Sequence, residues 1–434
     1  MATAAFYTLG CKVNQYETEA LIELFKDRGY EIVDFGDYAD VYVINTCTVT
    51  NLGDRKSRQM IRKAKKMNPS SIVVVVGCYV QVAPEKVKAI EEVNIIIGTD
   101  ERHRIAELIE QYKEEQKNIS LVKNIMKVKE FEELSVSKLE GRTRAYLKIQ
   151  EGCNQFCSYC IIPYARGPVR SRKPENIINE VNKLVYNGFK EIVLTGIHVA
   201  SYGKDLGNIN LLKLLEMVHT IKGLERIRLS SIEPSIVNEE FVNTIQGLHK
   251  ICPHFHLSLQ SGCDETLKRM NRKYTTKDYK EAVELLRDKI EDIALTTDII
   301  VGFPGENDEE FNQSYHFVKE IAFSQIHVFK FSPRQGTPAA RMKDQIAPEV
   351  KEERSRKMIE LGQFLQNQFL VQQIGKTMDV LFENTLDDHE EIFEGHTPNY
   401  LKVEVHSKED IKNQILPVTF QGIKNHSLIG NIKN

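Results

Sequence analysis

The chain has 434 residues, 41% of them apolar and 27% charged, with a formal net charge of −3, enough for two or three domains with a sizeable core. The charge excludes a uniformly basic coat but leaves room for a local basic patch, and the longest apolar run, Ile72 to Cys78, is strand-sized and too short to span a membrane. The opening MATAAFYTLG lacks the basic and long apolar regions of a secretory signal, so the chain is expected in the cytoplasm, where eight cysteines point to metal binding or catalysis rather than disulfides.

In chain order, hydrophobic patterning predicts strands over 6–9, 31–35, 41–45, 72–76 and 95–97, and helices over 17–28, 55–67 and 101–117. Apolar strands separated by helices indicate a Rossmann-like parallel sheet covered on both faces, over 1–117. Cys11, Cys47 and Cys78 each follow one of these strands by two residues. They therefore share the carboxyl edge of the sheet, where open α/β sheets bind ligands. Taken singly, each reads as a small buried hydrophobe. Their shared position argues for a joint metal site.

Residues 118–140 are polar and irregular and read as a linker. A second α/β series follows, with strands over 145–149, 191–195, 226–230, 254–259, 295–301 and 325–331. Six β/α units indicate a partial (β/α)6 barrel over 141–371, with its active groups on the loops after the strands. The loop after the first strand is EGCNQFCSYC, spaced C-x3-C-x2-C at Cys153, Cys157 and Cys160. A cubane cluster usually takes four thiolates; three leave one iron open for another ligand. Zinc is the competing reading, but structural zinc wants four closed ligands and no histidine lies nearby in sequence. Cys252 and Cys263 match no ligand spacing and read as structural. Arg142, Arg144, Lys148, Arg166, Arg170, Arg172 and Lys173 concentrate around the loop, with Tyr146, Tyr159 and Tyr164 interleaved. Charge runs are usually solvated faces, yet phosphates and unstacked bases would use this combination.

The segments TLGCKVNQYET, NTCTV, VGCY, EGCNQFCSYCIIPYARGPVRSR and LQSGCDETLKRMNRKY resemble the methylthiotransferases of the radical S-adenosylmethionine (SAM) superfamily, over nearly the whole chain. That resemblance implies a [4Fe–4S] cluster on Cys153, Cys157 and Cys160 whose open iron binds SAM. It implies a second, auxiliary [4Fe–4S] cluster on Cys11, Cys47 and Cys78. It also implies SAM contacts at Thr195, Gly196, Glu233, Gln260, Asp298 and Gly302, and an electron donor such as flavodoxin or ferredoxin. The LGCKVNQYET form is most similar to the branch that methylthiolates C2 of threonylcarbamoyladenosine beside the tRNA anticodon, at position 37. Other branches act on isopentenyladenosine in tRNA or on a ribosomal-protein aspartate. A metal-bearing RNA-binding protein without catalysis is the alternative from a different class.

A long helix is predicted over 352–373, and short strands over 378–382, 400–405 and 415–420. The region 372–434 resembles a TRAM domain, an OB-like RNA-binding module; a β cap over the barrel is the plainer reading. Contacts with an anticodon stem-loop are expected from Arg166, Arg170 and Arg172.

Overall fold

Valine- and isoleucine-rich runs form the first sheet. In the computed structural model, which describes residues 1–136, 143–386 and 391–433, these strands are β1 (Thr3–Thr8), β2 (Glu31–Val33), β3 (Val41–Thr46), β4 (Ile72–Gly77), β5 (Ile95–Ile97) and β6 (Ile119–Leu121). Their order is β2-β1-β3-β4-β5-β6, all parallel. Both faces of β3 and β4 are buried under helices, which is why these strands read as continuous apolar runs rather than alternating ones.

Two expectations needed adjustment. The first helix spans Lys12–Asp27, five residues earlier than its apolar spacing indicated. Its first turns bury Asn14 and Glu17 against a second domain and Thr18 against its own sheet, so polar residues interrupt the apolar period. The stretch taken as a linker is partly built into the fold. β6 extends the first sheet through Leu121, Glu132 pairs with Arg102 at 2.7 Å, and Leu134 and Val136 enter the core of the next domain. Residues 137–140 lie outside the described residues.

The second domain is the expected partial barrel. Strands β7 (Arg144–Glu151), β9 (Glu191–Gly196) and β10 (Arg226–Leu229) form one parallel sheet, edged by the short antiparallel β8 (Arg170–Ser171). Strands β11 (His254–His256), β12 (Ala294–Val301) and β13 (Gln325–Lys330) form another. Single bridges, Ile227 to Ile251 and Ile232 to Leu257, join the two sheets. The outer core lies between these strands and their helices and takes in Tyr16 and Ala20 of the first domain. The carboxyl edges of the two domains face each other: Thr99 Oγ1 donates to Ala165 O at 2.6 Å, and Arg334, after β13, donates to Thr48 Oγ1 at 2.6 Å and Asp54 at 2.7 Å.

The helix Pro348–Val371 leads to a closed five-stranded barrel: β14 (Thr377–Thr385), β15 (Ile392–His396), β16 (Lys402–His406), β17 (Ile415–Lys424) and β18 (Ser427–Ile432). Sequence patterning had indicated three of these strands. Strand β15 carries Gly395 and β18 carries Gly430, where a Cβ would come within 2.4 and 2.5 Å of backbone oxygens of β14 and β17; glycine in a strand interior weakens the strand signal.

Candidate active site: two cysteine triads, each beside an arginine

The C-x3-C-x2-C loop leaves β7 through Gly152, whose φ is +73° and whose Cβ, if present, would lie 1.9 Å from Pro168 O. Only glycine fits there. The loop is tied down by Cys153 N to Gly167 O (3.0 Å), Cys160 N to Cys157 O (2.9 Å) and Ser158 N to Met270 O (2.9 Å). Burial pushes the thiol of Cys153 up to about 11 and that of Cys160 up to about 12. Bare thiolates are costly there: the thiols stay protonated unless nearby positive charge compensates them. Arg272 supplies part of it: Nη1 donates to Cys157 Sγ at 3.3 Å and Nη2 lies 3.0 Å from Glu233. Glu233 also accepts from Gln155 Nε2 at 2.9 Å and lies 3.0 Å from His198 Nε2.

The second triad forms at the facing edge of the first sheet. Cys11 precedes the helix Lys12–Asp27 as its N-cap, Cys47 follows β3, and Cys78 opens a short helix after β4. Gly10, at φ +113°, brings the chain so close to Cys47 that a Cβ would lie 3.2 Å from its sulfur. Burial raises the thiol of Cys47 and pushes that of Cys78 up to about 12; the charges of Cys11, Cys47 and Cys78 act on one another.

Both triads fit iron–sulfur cubanes better than zinc. Sulfurs sharing one zinc at about 2.3 Å sit about 3.8 Å apart. Among the described residues, the group of three ligating atoms lying within 4.8 Å of one another is His256, Asp298 and His327, and neither cysteine triad is that tight. In addition, each triad has an arginine aimed at one sulfur, as an anionic cluster needs.

For the Cys11 triad that arginine is Arg166. Its Nε donates to Cys78 Sγ at 3.1 Å, its Nη1 to Glu17 at 2.5 Å and Glu151 at 3.1 Å, and its Nη2 to Asn14 Oδ1 at 2.5 Å. Lys148 bridges Glu17 and Glu151 at 3.0 Å each, and Arg102 pairs with Glu17 and Glu132. Three cations thus meet three carboxylates. Although burial pushes the Glu17 carboxyl up, Arg102, Arg166 and Lys148 hold it well below the usual carboxylate range. This corrects the expected RNA patch. Arg166, Arg170 and Arg172 are all buried, and Arg172 pairs with Glu180 at 2.7 Å and Glu133 at 2.8 Å. Arg142 lies outside the described residues. Lys148, Arg166 and Arg172 of the basic run pair with acids from distant segments, pairings that charge counting cannot supply.

The expected SAM residues separate into groups. Gln260, at φ +72°, and Asp298 line a cavity of about 250 Å³ with Cys160, Ile161, Ile162, Phe329 and others. Glu233 belongs to the network of Arg272. Thr195 and Gly196 end β9, and a Cβ on Gly196 would crowd Gln150 at 3.0 Å. Gly302 does not line the cavity; a Cβ there would meet Lys351 Cγ at 2.3 Å, on the side of the long helix. The sequence reading passed over Arg272, although it sits in the quoted segment LKRMNRKY, and also Glu17 and Glu151. Nothing in their spacing marks them, since their partners are remote.

The radical SAM superfamily model matches residues 147–318, and that of the uncharacterized protein family UPF0004 matches residues 3–98. The threonylcarbamoyladenosine tRNA methylthiotransferase MtaB of Bacillus subtilis (strain 168) is 49% identical over 96% of this chain and 93% of its own. The chain belongs to the radical SAM methylthiotransferase family. Within that family, the tRNA-2-methylthio-N(6)-dimethylallyladenosine synthase of Clostridium novyi (strain NT) is 37% identical over 98% of this chain and 95% of its own. Among solved structures, the radical SAM methyltransferase TsrM from Kitasatospora setae shares the fold at a TM-score of 0.59 and 16% identity, covering 78% of this chain and 77% of that one. No helix among the described residues is long and apolar enough to cross a membrane.

Proposed function

We propose that this methylthiotransferase modifies C2 of threonylcarbamoyladenosine at position 37 of tRNA, beside the anticodon. The observation that carries the reading is the 49% identity to MtaB across 96% of the chain, joined to the placement of both cysteine triads at facing sheet edges. Cys153, Cys157 and Cys160 would hold the SAM-binding cluster, and Cys11, Cys47 and Cys78 the auxiliary one. When bound, these groups with SAM supply the electron, the hydrogen-abstracting radical and the sulfur that the side chains cannot.

The side chains bind, orient and shield. Arg272 offsets negative charge at Cys157 while holding Glu233 in place, and Arg166 does the same between Cys78 and Glu17. Gln260 and Asp298 wall the cavity beside Cys160, where SAM is assigned, and Asp298 stands between SAM and the target base. Thr195, Gly196 and Glu233 are assigned as further SAM contacts. The C-terminal β-barrel is assigned as a TRAM domain that grips tRNA. The electron donor is a small redox protein such as flavodoxin or ferredoxin, and the site of action is the cytoplasm.

The test is nucleoside mass spectrometry of tRNA from cells with and without this chain, repeated with the purified, anaerobically reconstituted protein. The expected result is loss and recovery of the methylthio group on threonylcarbamoyladenosine. About eight irons per chain should accompany it. Methylthiolation of dimethylallyladenosine alone, or of a ribosomal protein, would overturn the substrate assignment.

A further inference from the structure

The cysteine chemistry makes no use of a set of polar groups inside the partial barrel. Lys12 directly follows Cys11 and is half-buried. Its charge interacts with Arg144 on β7, Glu191 on β9, Arg228 on β10, His254 on β11 and His327 on β13. These partners sit on five strands of the barrel and, with Tyr400 of the C-terminal barrel, place the Lys12 ammonium within electrostatic reach of the barrel's inner residues. Lys12 makes no hydrogen bond or ion pair among the described residues. The neighbouring acids are already engaged: Glu191 with Arg228 at 2.7 Å, and Glu383 with Arg144 at 2.9 Å. The ammonium is thus a cation with no anion in hydrogen-bond contact, although Glu191 and Asp298 belong to the same neighbourhood.

Of these partners, His327 groups with His256 and Asp298, contributed by three adjacent strands. Their polar atoms lie within 4.8 Å of one another. His256 Nε2 is 3.3 Å from Asp298 Oδ2, and the two imidazoles stack at 6.0 Å. Asp298 also belongs to the wall of the cavity beside Cys160, so this group adjoins the radical site. In the same wall Phe329 is 48% exposed and offers a ring on which a purine can stack. A bound metal ion would suit two imidazoles and a carboxylate, but Lys12 repels it. The combination suits a polar appendage that ends in an anion.

We propose that Lys12, His256, Asp298 and His327 form the pocket for the N6 substituent of the target adenosine, with Lys12 receiving its carboxylate. The inference rests on the substrate reading above. A threonylcarbamoyl group carries a carboxylate, a hydroxyl and urea N–H groups. Its carboxylate pairs with Lys12, while Asp298 and the imidazoles serve the hydroxyl and N–H groups. A dimethylallyl substituent has none of these and leaves the ammonium and imidazoles unsatisfied, which is how a polar site rejects an apolar analogue. The pocket therefore sets specificity between the two kinds of tRNA.

The test compares three substrates: tRNA bearing threonylcarbamoyladenosine, the same tRNA with that carboxylate converted to a carboxamide, and tRNA bearing dimethylallyladenosine. Each is assayed for methylthiolation by the wild-type holoenzyme, Lys12→Met and Lys12→Arg, with iron content measured in parallel. The wild type should prefer acid over carboxamide by roughly 10- to 100-fold in kcat/KM, the range of one charge-assisted bond. Lys12→Met should lose that preference, chiefly through KM, and Lys12→Arg should keep part of it. Equal use of acid and carboxamide by the wild type, or an undiminished preference in Lys12→Met, would overturn the pocket while leaving the substrate reading intact. Should Lys12→Met fail to hold iron, the wild-type comparison of acid and carboxamide still decides. Wild-type activity on the dimethylallyl tRNA alone would overturn both.

Discussion

Arg166 shows how much one side chain can be asked to do. A guanidinium has five donors in a rigid fork, and here they reach a thiol, two carboxylates and an amide. Removing it takes one of three cations from Glu17 and the strongest charge partner from Glu151 in a buried interface. Arg166→Ala should therefore destabilise the fold by about 3–5 kcal/mol, read from urea denaturation, and should lower the iron bound at the Cys11 triad. Lysine lacks the fork, so Arg166→Lys should recover little of either. If Arg166→Ala kept full stability and iron and lost only tRNA affinity, the arginine would be a phosphate contact after all. At this scale the sequence was a good guide to which residue types matter. It was a poor guide to which way they face, and Arg166, Arg170 and Arg172 were taken for surface for that reason.

At the scale of elements, the loop after β12 carries its own pH response. Glu306 accepts from Phe303 N at 2.9 Å and is buried beneath Arg354. Burial pushes its carboxyl from 4.5 up to about 7, against the pull of Arg354. Below about pH 4.5 both folded and unfolded chains hold the proton. Between that point and pH 7 the native state keeps a proton that the unfolded chain releases. Stability therefore falls as pH rises through this window, by about 3 kcal/mol, and levels off above it. Glu306→Gln removes the titration. Its gain over the wild type should be small near pH 5 and largest near pH 8, measured by urea midpoints; a gain independent of pH would refute the assignment. The Lys12–Asp27 helix begins five residues before its apolar spacing indicates, and β6 lies in a stretch that reads as a linker, because local period reports only the apolar face. Where a helix turns Asn14 and Glu17 into a polar interface, that period fails.

At the scale of the whole molecule, the C-terminal barrel closes the amino end of the partial barrel. Tyr400 lies 4.6 Å from the Arg228 guanidinium and 5.2 Å from that of Arg144, and it stacks on His396 at 4.8 Å. Arg226 and Arg228 donate to the backbone oxygens of Asp379, His396 and Pro398. The module is thus a structural plug as well as a candidate tRNA clamp. Tyr400→Ala should cost about 2–4 kcal/mol of stability, and deleting 375–434 should lower the melting temperature of the remainder by uncovering Arg144, Arg226 and Arg228. A truncated chain that melted like the full one would mean that the plug contributes nothing and the module serves binding alone.

Much of this architecture was legible in the amino-acid order. Strand cores, the C-x3-C-x2-C loop and the positions of Cys11, Cys47 and Cys78 after strands depend on local chemistry. Apolar runs, glycine turns and short spacings act within a few residues of each other, so one-dimensional reading finds them. The pairing of Arg166 with Cys78, of Arg272 with Glu233, and the convergence of Lys12 with His256, Asp298 and His327 needed the tertiary structure. Each joins residues from separate strands or domains, some more than three hundred positions apart. Buried charge is stable only when folding brings its counter-charge within a few ångströms, and no local pattern encodes which distant partner that will be.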